Sequence, residues 1–200
     1  LIRKSDKKVA DLTPVQRTIL SQLFEVAPGK VEKTSFVVQF EAMSPNDLPI
    51  VLTQNEYMRR MKEMAAMQPG MSFYGELPDS YTLVVNTENP VIKDISAKAD
   101  KALDATVRPL ADKIEADNAA INAAREAAAS EGLQGEAKTK VDELEKAVGE
   151  ARKAQNEAIA AYAKGEPVVS QLIDLALLGN GLLKGEHLSD FIARSVELLK

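Results

Sequence analysis

The sequence contains no cysteine, no tryptophan and only one histidine among its 200 residues. Without cysteine, disulfide bonds and thiolate metal sites are excluded, and a reducing, cytoplasmic location is expected. A zinc cluster or a histidine-based triad would need companions for His187, which we therefore interpret as an exposed residue at a helix start. We expect no catalytic residue, no metal site and no cofactor site in this sequence.

Long apolar runs and a basic surplus are also missing. No uninterrupted apolar stretch approaches the length that spans a bilayer, so no membrane partner is expected. The net charge of −5 and the pI near 5.1 argue against a nucleic-acid partner, since phosphate binding needs a concentrated basic face. The start, "LIRKSDKKVAD", lacks an initiator methionine and the apolar core of a signal peptide, which favours a segment of a longer protein.

Residues 1–95 predict an α+β fold with a small three-stranded sheet and two helices. Thr13 and Pro14 suit the N-cap and the first position of a helix that ends before Pro28. A methionine-rich helix is predicted from about Gln54 to Met67, where Pro69 and Gly70 end it. Three segments rich in β-branched and aromatic residues predict the strands, at Lys33–Ala42, Leu48–Thr53 and Tyr81–Thr87.

Residues 96–165 predict an inserted antiparallel helical hairpin. Of the 68 residues from Ala97 to Lys164, 21 are alanine and 24 are charged, with large apolar residues at heptad-like spacing. Pro109 should kink the first helix or mark its beginning. The turn falls at Ser130–Gly135, and the balanced charges indicate a solvated, self-paired structure.

Residues 166–200 predict two short helices separated by a glycine-containing turn, Gly179-Asn180-Gly181. Apolar residues nearly encircle the first helix and form a stripe along the second, which together is more apolar area than one small sheet can cover. A four-helix bundle completed by a second copy is the economical solution. The predicted dimer contacts are Leu172, Leu175, Leu178, Leu188, Phe191, Ile192, Val196 and Leu199.

Five of the six methionines fall within fourteen positions of the chain. Two alternatives stay open for them: they pack on the sheet as ordinary core, or they form an exposed face that adapts to varied partners. On the second alternative the binding residues are Tyr57, Met58, Met61, Met64, Met67 and Met71.

The order of these segments resembles the carboxy-terminal domain of the heat shock protein 90 chaperones, in particular the bacterial branch. The resemblance is carried by "ELPDSYTLVVNTENPVI" (Glu76–Ile92) and by the closing "VSQLIDLALLGNGLLKGEHLSDFIARSVELL". It covers residues 11–95 and 166–200, and the helical hairpin departs from the common family pattern.

The resemblance implies a homodimer joined by the last two helices, with client proteins contacted by the helix of Tyr57, Met61 and Met64. It also implies that the full-length protein is an ATPase using ATP and magnesium, through domains absent from this sequence. On this interpretation the segment itself is a dimerisation and client-contact domain and not an enzyme. The alternative is a non-enzymatic coiled-coil adaptor whose hairpin docks a partner.

Overall fold

The computed structural model describes residues 8–54, 56–67, 78–128, 132 and 134–198. Within these ranges the chain is α+β, and helices precede, separate and follow the strands along the sequence. The helices are α1 (Pro14–Leu23), α2 (Glu56–Met67), α3 (Pro90–Ala127), α4 (Gly135–Ala163), α5 (Pro167–Gly179) and α6 (Gly185–Leu198). The strands are β1 (Lys8–Val9), β2 (Thr34–Ala42), β3 (Ile50–Gln54) and β4 (Asp79–Asn86).

The sheet is mixed, with the strand order β1-β2-β4-β3. β4 lies between β2, to which it is parallel, and β3, to which it is antiparallel. The three predicted strands are confirmed, and the two-residue β1 adds a short antiparallel partner for the end of β2. Phe36 and Tyr81 stand opposite each other in the β2–β4 register, and their rings stack with centroids 5.9 Å apart. β3 is left at one edge of the sheet.

The chain divides into two compact units. An α/β unit comprises Leu1–Leu12, Leu23–Ala97 and Glu166–Lys200, and it therefore contains the sheet, α2, α5 and α6. A helical unit comprises Thr13–Gln22 and Lys98–Gly165, and it contains most of α1, most of α3 and all of α4.

The helical unit has its own apolar core. Ile121 of α3 packs with Val141 and Val148 of α4 in a buried cluster. Gln155 Nε2 donates to the Val107 carbonyl at 3.2 Å, and Arg125 pairs with a carboxylate of α4. These contacts join early residues of α3 to late residues of α4 and the reverse, so the two helices run antiparallel.

The start of helix α3 differs from expectation. α3 begins at Pro90, six residues before the predicted hairpin, because Asn89 Oδ1 accepts the Val91 N–H at 2.9 Å as an N-cap. The expectation that Pro109 marks the beginning of this helix is wrong, since Pro109 lies inside it. Pro109 and Ala105, whose carbonyl loses its donor, are both exposed, so water can satisfy that carbonyl.

At the start of α1, Thr13 acts as the N-cap that the sequence predicts. Thr13 Oγ1 accepts the Gln16 N–H at 3.2 Å, and Gln16 Oε1 accepts the Thr13 N–H at 3.1 Å. This reciprocal pair satisfies two backbone donors that helix geometry leaves without a partner. α1 ends at Leu23, ahead of Pro28 as the sequence predicts.

In the α/β unit, a fully buried asparagine fixes the end of β4. Asn86 Oδ1 accepts the N–H groups of Met43 and Glu88, both at 3.1 Å, and Asn86 Nδ2 donates to the Ser44 carbonyl at 2.8 Å. One side chain thus serves three backbone groups and ties the β2–β3 connection to the end of β4. Aspartate could not replace it, because the carboxylate cannot donate to Ser44.

We predict that Asn86→Leu destabilises the fold by about 2–4 kcal/mol, because it leaves buried backbone groups without partners. For a chain of this size, the melting temperature should fall by roughly 5–15 °C. Circular dichroism during heating measures this. Asn46→Leu in the exposed β2–β3 connection is the matched control, and an equal loss in both variants would contradict the role assigned to Asn86.

Candidate interaction surfaces

The methionine-rich helix α2 is held on the α/β unit by one side of its surface. Ala65 is buried, and Met58, Met61 and Lys62 on the same side are half-buried. Lys62 Nζ forms an ion pair with Asp79 at the start of β4, with an N–O distance of 2.7 Å. These positions recur at three- and four-residue steps, as expected for one face of a helix.

The opposite side of α2 is apolar and exposed. Tyr57, Met64 and Met67 are 69%, 47% and 84% exposed. At roughly 100° per residue these three positions fall within about 80° of the helix circumference. We call this set the α2 face. Arg60, paired with Glu56, lies within this arc, and the Arg59–Glu63 pair lies beside it.

The structure therefore divides the predicted client-binding set into two groups. Met58 and Met61 turn partly toward the α/β unit, whereas Tyr57, Met64 and Met67 form the α2 face. Met58 and Met61 thus lie on the packed side of the helix, and Tyr57, Met64 and Met67 are the described residues of the set that stay exposed. Met71, like Gln68, Pro69 and Gly70, lies outside the described residues.

Helix α5 has two apolar sides. Val169, Ile173 and Leu177 are buried, at 3%, 5% and 0% exposure. On the other side, three apolar residues between 37% and 53% exposed share a stripe, namely Val168, Leu175 and Leu178. The predicted Leu172 is half-buried beside this stripe.

Helix α6 is amphipathic, yet none of its described residues is buried. Ile192, Val196 and Leu198 are 54%, 52% and 47% exposed, and the predicted Leu188 and Phe191 are half-buried. Leu199 lies outside the described residues. We call the exposed aliphatic residues of the two helices the α5–α6 face, namely Val168, Leu175, Leu178, Ile192, Val196 and Leu198.

A buried aspartate holds α6 against α5. Asp174 of α5 is fully buried, and its two carboxylate oxygens pair with Lys30 and with Arg194 of α6. Gln171 Nε2 also donates to Ser195 Oγ on α6. Because α6 buries no side chain of its own, these polar contacts are what orient it. The Asp174 carboxylate thereby joins three segments of the chain.

Exposed large apolar side chains are confined to the α/β unit among the residues that the structure describes. Twelve such side chains are exposed there, and nine of them belong to the α2 face or the α5–α6 face. The other three are Val37, Leu48 and Val91. In the helical unit, every described valine, leucine, isoleucine and tyrosine is buried or half-buried.

The charged surface of the helical unit consists largely of pairs within one helix. Arg108 hydrogen-bonds Asp104 one turn earlier, which lowers the pKa of that carboxyl and raises the pKa of the guanidinium. Lys113–Asp117 repeats the arrangement with an N–O distance of 2.6 Å. Such exposed pairs contribute little to stability and mark a solvated surface.

The described residues hold no cluster of three or more histidine, cysteine or acidic side chains suited to a metal ion. None of the helices in these ranges combines the length and hydrophobicity needed to cross a membrane. His187 is exposed in the first turn of α6, where the sequence predicts it.

Comparison with known proteins relates the whole chain to a family. The chain is 40% identical over 202 residues to Chaperone protein HtpG of Bacteroides fragilis strain ATCC 25285, and 37% identical to that of Bacteroides thetaiotaomicron. It is 39% identical over 210 residues to Chaperone protein HtpG of Porphyromonas gingivalis strain W83. Each alignment covers the whole chain and 30% of the relative's length.

The chain belongs to the HtpG family of bacterial heat shock protein 90 chaperones. It corresponds to the carboxy-terminal region of these proteins, in agreement with the resemblance seen in the sequence. No family model matches the chain, and no solved structure matches it.

The HtpG comparisons extend further than the sequence resemblance. The alignments include residues 96–165, so the helical hairpin that departs from the common family pattern has a counterpart in these HtpG relatives. The hairpin is therefore shared within this group of HtpG sequences and is not a peculiarity of one chain.

Sequence reasoning missed the residues that orient α6. Asp174 offered one signal, since it is a lone charge within the apolar run "LIDLALL", and a charge at such a position needs a partner. Its partners had no signal, because Lys30 and Arg194 lie 144 and 20 residues away in the sequence. The exposed Val168 and Leu198 were also absent from the predicted dimer contacts.

We predict that Asp174→Asn destabilises the fold by about 3–5 kcal/mol, because it leaves two partly buried cations without their counter-ion. Urea denaturation followed by circular dichroism measures the change. Glu145→Gln, which removes the exposed pair with Arg125, is the control and should cost about 1 kcal/mol or less. Equal losses in the two variants would show that burial of Asp174 has no special weight.

Proposed function

We propose that this chain is the dimerisation and client-contact domain of an ATP-dependent, cytoplasmic HtpG chaperone. The single observation that carries the proposal is the concentration of exposed apolar side chains on the α2 face and the α5–α6 face. An exposed apolar surface of this kind marks an interaction site in a water-soluble domain. Two separate faces support two kinds of contact.

The α5–α6 face suits a second copy of the chain. Its aliphatic residues lie on two adjacent helices, so a two-fold copy would build a four-helix bundle around them. The interface would include the predicted Leu172, Leu188 and Phe191 at its margin. These aliphatic side chains are 37–54% exposed, so completing the burial of each contributes roughly half of the ~1.5–3 kcal/mol that a fully exposed side chain would gain.

The α2 face suits partly folded client proteins. It is small, it combines one tyrosine with two flexible thioether side chains, and charged pairs lie within it and beside it. Methionine adapts its shape to many apolar partners at low cost, which favours breadth over selectivity. The half-buried Met58 and Met61 would support the helix more than contact the client.

A dimer joined at this domain would serve an ATPase located elsewhere in the protein. Linking two chains at one end raises the effective concentration of the distant domains for each other, into the millimolar range for short flexible links. Closure and opening of those domains can then follow ATP binding and hydrolysis without dissociation of the dimer. In this proposal ATP and magnesium bind outside the present segment, which takes no part in the chemistry.

The rival function is a coiled-coil adaptor that docks a partner through its hairpin. Such docking needs an apolar stripe on the outer surface of the helices. The described residues of α3 and α4 in the helical unit offer alanine and charged side chains there, and their large apolar residues face inward. This distribution favours the chaperone proposal.

Dimerisation through the α5–α6 face predicts that Ile192→Asp together with Val196→Asp converts dimer to monomer. Two charges would have to be buried in the middle of the interface, which is unfavourable without a partner. Sedimentation velocity at micromolar concentration measures the result.

Val91→Asp supplies the control, because Val91 is 43% exposed on α3 and belongs to neither face. A wild-type chain that sediments as a monomer at these concentrations would refute the dimer proposal.

Client contact through the α2 face predicts that Met64→Ser with Met67→Ser weakens the binding of a fluorescently labelled, unfolded model protein by roughly tenfold. The melting temperature should stay within about 2 °C of wild type, since both side chains are already exposed. Fluorescence anisotropy and thermal melts measure the two effects.

The matched control is Met58→Ser with Met61→Ser, the half-buried pair on the same helix. We expect the reverse pattern for this pair, with a lower melting temperature and a smaller loss of client affinity. Unchanged client affinity in the Met64 and Met67 variant would eliminate the α2 face as the contact site.

A further inference from the structure

An apolar groove runs between the edge strand β3 and helix α5. Its volume is about 310 Å³. The strand side is formed by five consecutive residues, Leu48–Leu52, and the helix side includes Leu172, Leu175 and Ala176. Since β4 pairs with only one edge of β3, no further strand of the described sheet occupies the other edge.

Leu48 lines this groove and is left exposed within one protomer. It precedes β3 in an exposed connection and is 67% exposed, more than any apolar residue of the α5–α6 face. Neighbouring positions in the same connection, such as Asn46 and Asp47, are polar and suit a solvated turn. A leucine there forgoes the burial that its side chain favours.

The groove is continuous with the α5–α6 face. Leu175 belongs to the exposed stripe of α5 and also lines the groove. Leu172, which lies beside the stripe, lines the groove as well. A partner that covers the stripe therefore reaches the helix side of the groove, and Leu48 lines the strand side of the same groove.

The groove would enlarge the apolar surface available to a second copy. The six aliphatic side chains of the α5–α6 face are between 37% and 54% exposed. A stable protein interface buries about 800 Å² on each partner. The groove with Leu48 adjoins this face and would add apolar surface to such an interface.

We propose that the dimer interface extends beyond the two helices onto β3, so that the second copy fills the groove and buries Leu48. This inference rests on the proposed dimerisation through the α5–α6 face. In a two-fold dimer the same contact occurs twice, so both copies of Leu48 become buried, and one substitution disturbs the interface at two places.

The first test is the dimer dissociation constant of Leu48→Asp, measured by sedimentation velocity over a concentration series. We expect at least a tenfold weaker dimer, because two charges are placed against apolar surface. Val37→Asp is the matched control, since Val37 is 59% exposed on β2 and does not line the groove, and its dissociation constant should not change.

The second test uses the absence of cysteine from the sequence, which makes any introduced thiol unique. Leu48→Cys should react with dithiobis-nitrobenzoate at least tenfold more slowly above the dissociation constant than below it. Val37→Cys should react at one rate throughout. This measurement does not depend on the effect of a charge on folding.

The outcomes separate the two proposals. Suppose that wild type dimerises and that the Ile192 and Val196 variant is monomeric. If Leu48→Asp then keeps the wild-type dissociation constant and the thiol of Leu48→Cys is not protected in the dimer, the interface stops at the helices and this inference is overturned. If Leu48→Asp weakens binding of the unfolded model protein with the dimer intact, the groove holds clients and the inference is again overturned. A monomeric wild type overturns both proposals.

Discussion

Helix α5 carries apolar residues on two sides, and one protomer can cover only one of them. Val169, Ile173 and Leu177 are buried within the α/β unit, so the stripe containing Leu175 and Leu178 is left facing water. The cost of exposing aliphatic surface makes a second copy the natural way to cover the stripe. The proposed dimer, the groove beside β3 and the amphipathic character of α6 all follow from this constraint.

Polar contacts define how α6 is oriented on α5 in the same region. Helix α6 buries no described side chain, so dispersion and burial alone would leave its orientation weakly defined. The Asp174 carboxylate, paired with Lys30 and Arg194, fixes α6 against α5 before any partner arrives. The α/β unit uses the same device at Asn86, where one buried side chain orders the connection that leads to Leu48 and β3.

The helical unit contrasts with this behaviour. Its large apolar residues pack between α1, α3 and α4 or lie half-buried, and its charges pair along the helix surfaces. It forms a compact unit of its own, as its separate core indicates. The HtpG relatives carry a counterpart of it, yet the described surface offers no apolar face for a partner. The contact surfaces of this chain are therefore concentrated in the α/β unit.

By itself the sequence determined which segments become helix or strand, because periodicity and capping residues such as Thr13 act over a few positions. It also identified the family, through segments such as "ELPDSYTLVVNTENPVI". It left open which methionines face water, since the five have equal hydrophobicity and only the packing of α2 separates Met58 and Met61 from Met64 and Met67. The tertiary structure alone decided the position of β4 between β2 and β3, the partners of Asp174 and the groove beside Leu48. Those features join residues far apart in the chain, and such pairings depend on three-dimensional packing that local patterns do not encode.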